Sequence, residues 1–151
     1  MAMDMQGEER IEAPIQKVWE ALNDPEVLKA CIPGCESLEK KSDTNLEAVV
    51  TLKIGPIKAK FQGAVELKNL KPPHSYTIQG EGKGGIAGFA KGGADVTLKE
   101  DGAAATVLTY TAKADVGGKM AQLGSRLINS TSKKLAGQFF DTFNKKVSGE
   151  K

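Results

Sequence analysis

The sequence has few of the groups on which most metal sites and catalytic sites depend. It contains 1 histidine and 2 cysteines in 151 residues. His74 follows two prolines in a predicted turn, so a Ser-His-Asp or Cys-His set would have to be built around a turn residue. Cys31 and Cys35 have no second pair at zinc-site spacing, and two cysteines are too few for a disulfide framework. We therefore expect no metal site and no cofactor.

Aromatic residues, excess charge and long apolar runs are also scarce. Aromatic residues make up 5% of the chain and the net charge is +2, whereas nucleic-acid sites need clustered basic charge and aromatic stacking. We therefore expect no nucleic-acid partner. No segment approaches the roughly 20 apolar residues that span a bilayer. The acidic N-terminal stretch does not resemble a signal peptide, so we expect a cytoplasmic protein with a single domain over residues 1–151.

The N-terminal part of the chain predicts one strand and two short helices. Apolar and polar residues alternate over residues 3–12, which is typical of a half-buried strand. Pro14 opens a helix whose apolar residues recur at helical spacing and which ends near residues 23–25. A second short helix around residues 27–32 ends at Pro33-Gly34, because proline cannot continue it.

From Cys35 to Val116 the apolar pattern has a period of two, which indicates a sheet. The predicted strands lie around residues 46–54, 57–67, 76–80, 94–98 and 108–116. Every connection between them is short and none contains a helix, so the sheet should be antiparallel. Because one face is apolar and the other charged, only the inner face should be covered.

After Gly117-Gly118 the pattern predicts a single helix from about Lys119 to Val147, on the order of 43 Å long. Its apolar stripe consists of Met120, Leu123, Leu127, Thr131, Leu135 and Phe139, widened by Ile128. An apolar stripe and an apolar sheet face must cover each other. The prediction is an α+β fold in which a curved antiparallel sheet wraps around a long C-terminal helix, with two short helices after the first strand.

The glycine-rich stretch from Gly80 to Gly93 formally satisfies the G-x-G-x-x-G pattern of dinucleotide sites. That pattern has meaning between a strand and a helix, whereas here more glycine and another strand follow. We interpret the glycines as bends that let the sheet curl and that leave space on its inner face. Ile86 and Phe89 are candidates for an apolar flap at the mouth of that space; the alternative is a hairpin without a role.

An apolar sheet face, an apolar helix stripe and a shortage of catalytic groups favour a cavity for an apolar small molecule. The candidate lining residues are Ile32, Phe61, Val65, Tyr76, Ile78, Phe89, Leu108, Tyr110, Met120, Leu123 and Leu127. Tyr76 and Tyr110 can offer hydroxyl groups to a ligand carbonyl.

Two other functions stay open. One is an enzyme that uses Tyr76, Tyr110 or an inward-facing acid such as Glu9 or Asp115 for general acid–base chemistry. The other is an interaction module that binds a second protein through the exposed sheet face or the helix end.

Several motifs resemble the CoxG family of carbon monoxide dehydrogenase subunits, and the resemblance covers nearly the whole chain. The motifs lie in residues 11–24, 28–35, 52–57, 61–63, 80–84 and 117–127. The Cys-Ile-Pro-Gly-Cys run and the Gly-Gly-Lys-Met helix start are the more specific ones. The resemblance implies a START-like (SRPBCC) helix-grip fold with a deep cavity between sheet and helix. It also implies a non-catalytic accessory role beside a carbon monoxide dehydrogenase-type molybdenum hydroxylase.

Within that family, the implied role is recruitment of the hydroxylase to the membrane or electron delivery, with a quinone or a lipid as ligand. A START-like cyclase or hydrolase is the alternative that the wider superfamily implies. Some relatives carry a C-terminal apolar anchor, whereas this sequence ends at Lys151. The tail lysines are dispersed, as is typical of a solvated helix end; they are Lys133, Lys134, Lys145, Lys146 and Lys151. We therefore expect peripheral membrane contact only, at the inner face.

Overall fold

The computed structural model describes residues 1–148, so Lys151 of the tail lysines lies outside the described part. The strands are β1 (Ala2–Ile11), β2 (Cys35–Lys40), β3 (Asn45–Ile54), β4 (Ile57–Lys71), β5 (Ser75–Lys83), β6 (Phe89–Glu100) and β7 (Thr106–Gly117). The α-helices are α1 (Ile15–Leu22), α2 (Pro25–Cys31) and α3 (Ser125–Ser148), and the two 3₁₀ segments are η1 (Gly85–Ala87) and η2 (Gly118–Leu123). The predicted α+β helix-grip fold is confirmed.

All seven strands form one antiparallel sheet in the order β1-β7-β6-β5-β4-β3-β2. The first strand pairs with the last, with Ala2 opposite Asp115 at one end and Ile11 opposite Thr106 at the other. The chain passes from edge strand β1 to edge strand β2 through α1 and α2, which both contact α3. The three helices therefore cover the inner face of the sheet.

The two short helices form where the sequence predicts them, because their ends are marked by local chemistry. Helix α1 buries residues 15, 18, 19 and 22, the i, i+3, i+4, i+7 spacing of an amphipathic helix. Helix α2 begins at Pro25, and the Asp24 side chain caps it by accepting a hydrogen bond of 3.0 Å from the backbone N–H of Glu26. Gly34, with a φ of +77°, then turns the chain into β2.

The prediction of one continuous helix from Lys119 is wrong. Residues 118–123 form the 3₁₀ segment η2, and α3 begins only at Ser125. Gly124 separates the two elements with a φ of +90°, a conformation that an α-helix cannot contain and that glycine adopts without strain. The α-helix has 24 residues and is therefore about 36 Å long.

Helix α3 is held mainly by its C-terminal half. Phe143 is fully buried and Val147 is 3% exposed, whereas Thr131, Leu135 and Phe139 of the predicted stripe are only partly buried. The apolar stripe predicted from the sequence ended too early, at Phe139. In the structure, Phe143 and Val147 continue the stripe at the same four-residue spacing.

The side chain of Asn144 ties this end of the helix to the edge of the sheet. Its Oδ1 accepts a hydrogen bond from the backbone N–H of Glu12 (3.0 Å), and its Nδ2 donates one to the carbonyl oxygen of Arg10 (3.3 Å). The C-terminal half of α3 is therefore fixed to β1 and its continuation, while the N-terminal half faces a more open part of the sheet.

Replacing Phe143 by alanine should remove the main anchor of α3. Because the site is fully enclosed, we expect Phe143→Ala to lower the free energy of unfolding by about 3–5 kcal/mol. Urea denaturation followed by circular dichroism measures the change. Lys145→Ala, two residues away and exposed, is the control and should have little effect. A loss below about 1 kcal/mol for Phe143→Ala, smaller than core truncations cause, would contradict this role.

Candidate apolar binding site

Two adjoining chambers lie between the sheet and the helices. The smaller chamber has a volume of about 260 Å³ and lies under α1, α2 and the middle of α3. The larger chamber has a volume of about 560 Å³ and lies under η2 and the N-terminal half of α3. Ile32, Val65 and Ile78 line both chambers. These three side chains therefore form a common wall of the two chambers.

The larger chamber exists because the sheet carries very small residues on its inner face. Residues 80 and 92 face each other in the strand register, as do 92 and 114, and 94 and 112. All of them are glycine or alanine, and all line the chamber. Across the space, α3 contributes the hydroxyl-bearing residues Thr131 and Ser132. Missing side-chain volume on the sheet thus leaves a mostly apolar space, with hydroxyl groups on its helical side. Glu81, Lys91 and Lys113 of the sheet are its charged lining residues.

The smaller chamber is apolar apart from one phenol and two polar residues at its edge. Tyr76 lines it and is 5% exposed, and its ring meets Trp19 edge to face with the ring centroids 5.3 Å apart. Burial raises the pKa of the Tyr76 phenol, so this group stays protonated and can donate a hydrogen bond at neutral pH. Asn23 and Lys40 also line the chamber, and the Asn23 amide already donates to the carbonyl oxygen of Trp19 (2.9 Å).

The structure brings seven of the eleven predicted lining residues to the chambers. They are Ile32, Phe61, Val65, Tyr76, Ile78, Leu108 and Met120. The sheet alternation predicts the strand members of this set, since residues on one face recur every second position. The sequence reasoning missed Met3 and Met5 on β1 and the hydroxyl groups on α3. The period-two run of glycine and alanine in β5 to β7 is the signal that points to the larger chamber.

The other four predicted residues lie elsewhere. Phe89 does not line either chamber and is 46% exposed, because its neighbour Ala90 occupies the inward position of β6. Tyr110 is on the inner face but stacks on Phe140, with ring centroids 5.6 Å apart, and takes no part in either wall.

The remaining two predicted residues, Leu123 and Leu127, also line neither chamber. Leu123 belongs to η2 and Leu127 lies near Gly55 in the turn between β3 and β4. The break at Gly124 rotates η2 relative to α3, so the single helical stripe that placed both residues over the cavity does not form.

The candidate acids and bases do not converge on the chambers. Glu9 lies on the inner side of β1, where burial and the nearby Asp141 carboxylate raise the pKa of its side chain. It lines neither chamber, and Asp115 is exposed. His74 is also exposed. The enzyme hypothesis therefore finds no acid–base set around Tyr76.

The two cysteines and the other possible metal ligands give no reactive centre either. Burial is the largest effect on both thiols and raises the pKa of Cys31 and of Cys35, which disfavours the nucleophilic thiolate form. Between residues 1 and 148, no three histidine, cysteine or acidic side chains lie close enough together to hold a metal ion. Over the same part of the chain, no helix is both long enough and apolar enough to cross a membrane.

A curved sheet that grips a long helix is the helix-grip fold, and solved structures share this fold. A conserved protein from Geobacillus kaustophilus is 32% identical, with 97% of this chain and 96% of that chain covered and a TM-score of 0.92. The ZhuI aromatase/cyclase from Streptomyces sp. R1128 is 11% identical over 97% and 94% of the two chains, with a TM-score of 0.70. Truncated norcoclaurine synthase from Thalictrum flavum is 17% identical over 100% and 96%, with a TM-score of 0.64.

The two enzymes are so distant in sequence that they show the fold alone. The chain belongs to the CoxG family of carbon monoxide dehydrogenase subunits, whose sequence model matches residues 7–148. This confirms the resemblance found in the sequence motifs. A comparison with curated protein sequences found no match.

The position of Glu9 predicts a pH-dependent stability. Its pKa is raised in the folded state, so its contribution to stability is fully present below the unfolded pKa of about 4.3 and is lost as the pH rises through the folded value. Glu9→Gln stays neutral, so we expect it to be more stable than the wild type at about pH 7 and to lose that advantage near pH 4. Urea denaturation at both pH values measures the difference.

Glu8→Gln is the matched control, because Glu8 is the adjacent acidic residue and is exposed. It should produce no comparable gain at neutral pH. Equal or lower stability of Glu9→Gln at neutral pH would contradict an unfavourable burial of the Glu9 carboxylate beside Asp141.

Proposed function

We propose that this protein is a non-catalytic carrier that holds one apolar molecule, a quinone or a similar lipid, in the two adjoining chambers. The observation that carries the proposal is the common wall of Ile32, Val65 and Ile78 between two apolar spaces. An elongated molecule with a ring at one end and a chain at the other would fill both spaces. Burial of its apolar surface would supply most of the binding free energy.

A few polar groups would orient such a ligand. The Tyr76 phenol can donate a hydrogen bond to a carbonyl oxygen in the smaller chamber. Thr131 and Ser132 can donate to or accept from a ligand in the larger chamber. Pockets for small molecules combine a mostly apolar lining with a small number of such groups.

The family supports an accessory role rather than a catalytic one. We infer that the partner is a carbon monoxide dehydrogenase-type molybdenum hydroxylase, and that the bound quinone takes part in electron delivery or the carrier recruits the enzyme to the inner face of the membrane. Copurification of the chain with such a hydroxylase, with and without added quinone, tests this part of the proposal. The failure of the candidate acids and bases to converge on the chambers argues against a cyclase or hydrolase.

A substitution at the common wall should separate the chambers and weaken binding. Trp19, the single tryptophan of the chain, packs against the chamber residue Tyr76, so a quinone bound there should quench its fluorescence. We expect saturable quenching of the wild type by decylubiquinone. Val65→Phe should raise the Kd about tenfold or more, because the added ring occupies ligand volume.

Ala64→Phe is the matched control, since Ala64 precedes Val65 on the same strand and is exposed. It should leave the titration unchanged. Quenching that does not saturate, or that is equal in Val65→Phe and the wild type, would contradict ligand binding in the chambers.

A further inference from the structure

The hairpin tip between β5 and β6 exposes two large apolar side chains. Ile86 is 85% exposed and Phe89 is 46% exposed, and within residues 1–148 Ile86 is the most exposed large apolar residue. Between them, Ala87 is 4% exposed and packs in the same apolar cluster as Phe61 and Met120, which line the larger chamber. Ala87 therefore packs the tip against the end of the larger chamber, while Ile86 and Phe89 are exposed to solvent.

The exposure of Ile86 follows from a defined backbone rather than from a loose loop. The N–H of Gly84 donates to the carbonyl oxygen of Gly88 (2.8 Å), which closes the tip. Gly88 has a φ of +118° and lies so close to the end of β7 that a Cβ atom would collide with the carbonyl oxygen of Gly117. Glycine is required here because the tip packs directly against the backbone of its neighbour.

Basic side chains surround this end of the sheet. The tip, the β3–β4 turn and η2 meet there, since η1 contacts β4 and η2, and Ile54 beside the turn packs in one apolar cluster with Ala87 and Met120. The three segments, residues 52–61, 81–91 and 115–126, hold seven basic and two acidic residues, although the net charge of the whole chain is only +2. The basic residues are Lys53, Lys58, Lys60, Lys83, Lys91, Lys119 and Arg126.

Two of these lysines are paired, Lys60 with Glu36 (3.4 Å) and Lys83 with Glu81 (3.2 Å). In the part of the chain that the structure describes, no carboxylate lies within ion-pair distance of Lys53, Lys58 or Lys119. The end of the sheet thus has unneutralised positive charge, whereas the rest of the chain has a negative balance.

We propose that this end of the sheet docks on the surface of an anionic lipid bilayer, with Ile86 and Phe89 inserted at the boundary between headgroups and acyl chains. Apolar residues with lysines around them suit an anionic membrane, which attracts basic residues near its surface. A protein partner is favoured less, because lysine is depleted from protein–protein interfaces. Docking would place the η1–η2 end of the larger chamber at the membrane; this last point alone rests on the proposed function.

Cosedimentation with large vesicles tests the proposal. We expect the full chain to bind vesicles of phosphatidylglycerol and phosphatidylcholine, and to bind pure phosphatidylcholine vesicles much less. Binding should fall as the salt concentration rises from about 0.1 M to about 1 M, because the Debye length falls from about 10 Å to about 3 Å. Ile86→Asp should weaken binding to the anionic vesicles about tenfold, since it removes the apolar anchor and adds a repelled charge.

Leu70→Asp is the matched control, because it makes the same change in charge at an apolar residue that is 38% exposed at the opposite end of β4. It should bind like the wild type. A second pair, Lys58→Glu and Lys99→Glu, compares an exposed lysine of the docking end with an exposed lysine of the other end, and only the first should lose binding.

Absence of vesicle binding by the wild type, or equal effects of the two members of either pair, would overturn the proposal. Capture of a hydroxylase that depends on Ile86 without any vesicle binding would also overturn it and assign this end to a protein interface. Decylubiquinone quenching of Trp19 in solution should be the same in Ile86→Asp and the wild type. Membrane docking and ligand binding can therefore fail separately.

Discussion

The burial of Phe143 is the packing interaction on which the rest of the structure depends. It fixes the C-terminal half of α3, and Asn144 adds two hydrogen bonds to the backbone at the end of β1. At the other end, the break at Gly124 and the 3₁₀ segment η2 place Met120 over the sheet. Because both ends are fixed, the middle of the helix cannot settle onto the small residues beneath it, and the space between them stays open.

Under the proposed function, that space is a carrier site. Its walls are mostly apolar, and hydroxyl groups reach it from Tyr76, Thr131 and Ser132. The charged residues that line it are Lys40 in the smaller chamber and Glu81, Lys91 and Lys113 in the larger one. Glu9, an inward-facing acid with a raised pKa, lies outside both chambers. The exposed apolar tip lies at the end of the larger chamber, so loading from a membrane and storage in the chambers are compatible in one molecule.

Much of the fold could be predicted because local patterns specify it. The period-two alternation indicated the sheet, Pro14 marked the start of α1, and Asp24-Pro25 marked its end. The same pair also starts α2, which the sequence pattern placed only around residues 27–32. The helix break could not be predicted, because an isolated glycine inside a helical pattern is often tolerated. Phe89 was placed in the cavity wrongly, since a shift by one residue moves a side chain to the opposite face of a strand.

The basic end of the sheet could not be found from the sequence for a different reason. Its lysines come from three segments far apart along the chain, and only the antiparallel pairing brings them together. In the sequence, the tail lysines of α3 were the more visible candidates for membrane contact. The register of β5 and β6, with Lys83 opposite Phe89, is what places charge beside the apolar tip.

Native mass spectrometry of the purified chain, before and after incubation with decylubiquinone, tests the central claim most directly. The account predicts a species whose mass equals the polypeptide plus one apolar molecule, copurified or added, and release of that molecule into organic solvent on denaturation. A spectrum that contains the polypeptide alone under both conditions would contradict it, because apolar chambers of this size would then hold no ligand.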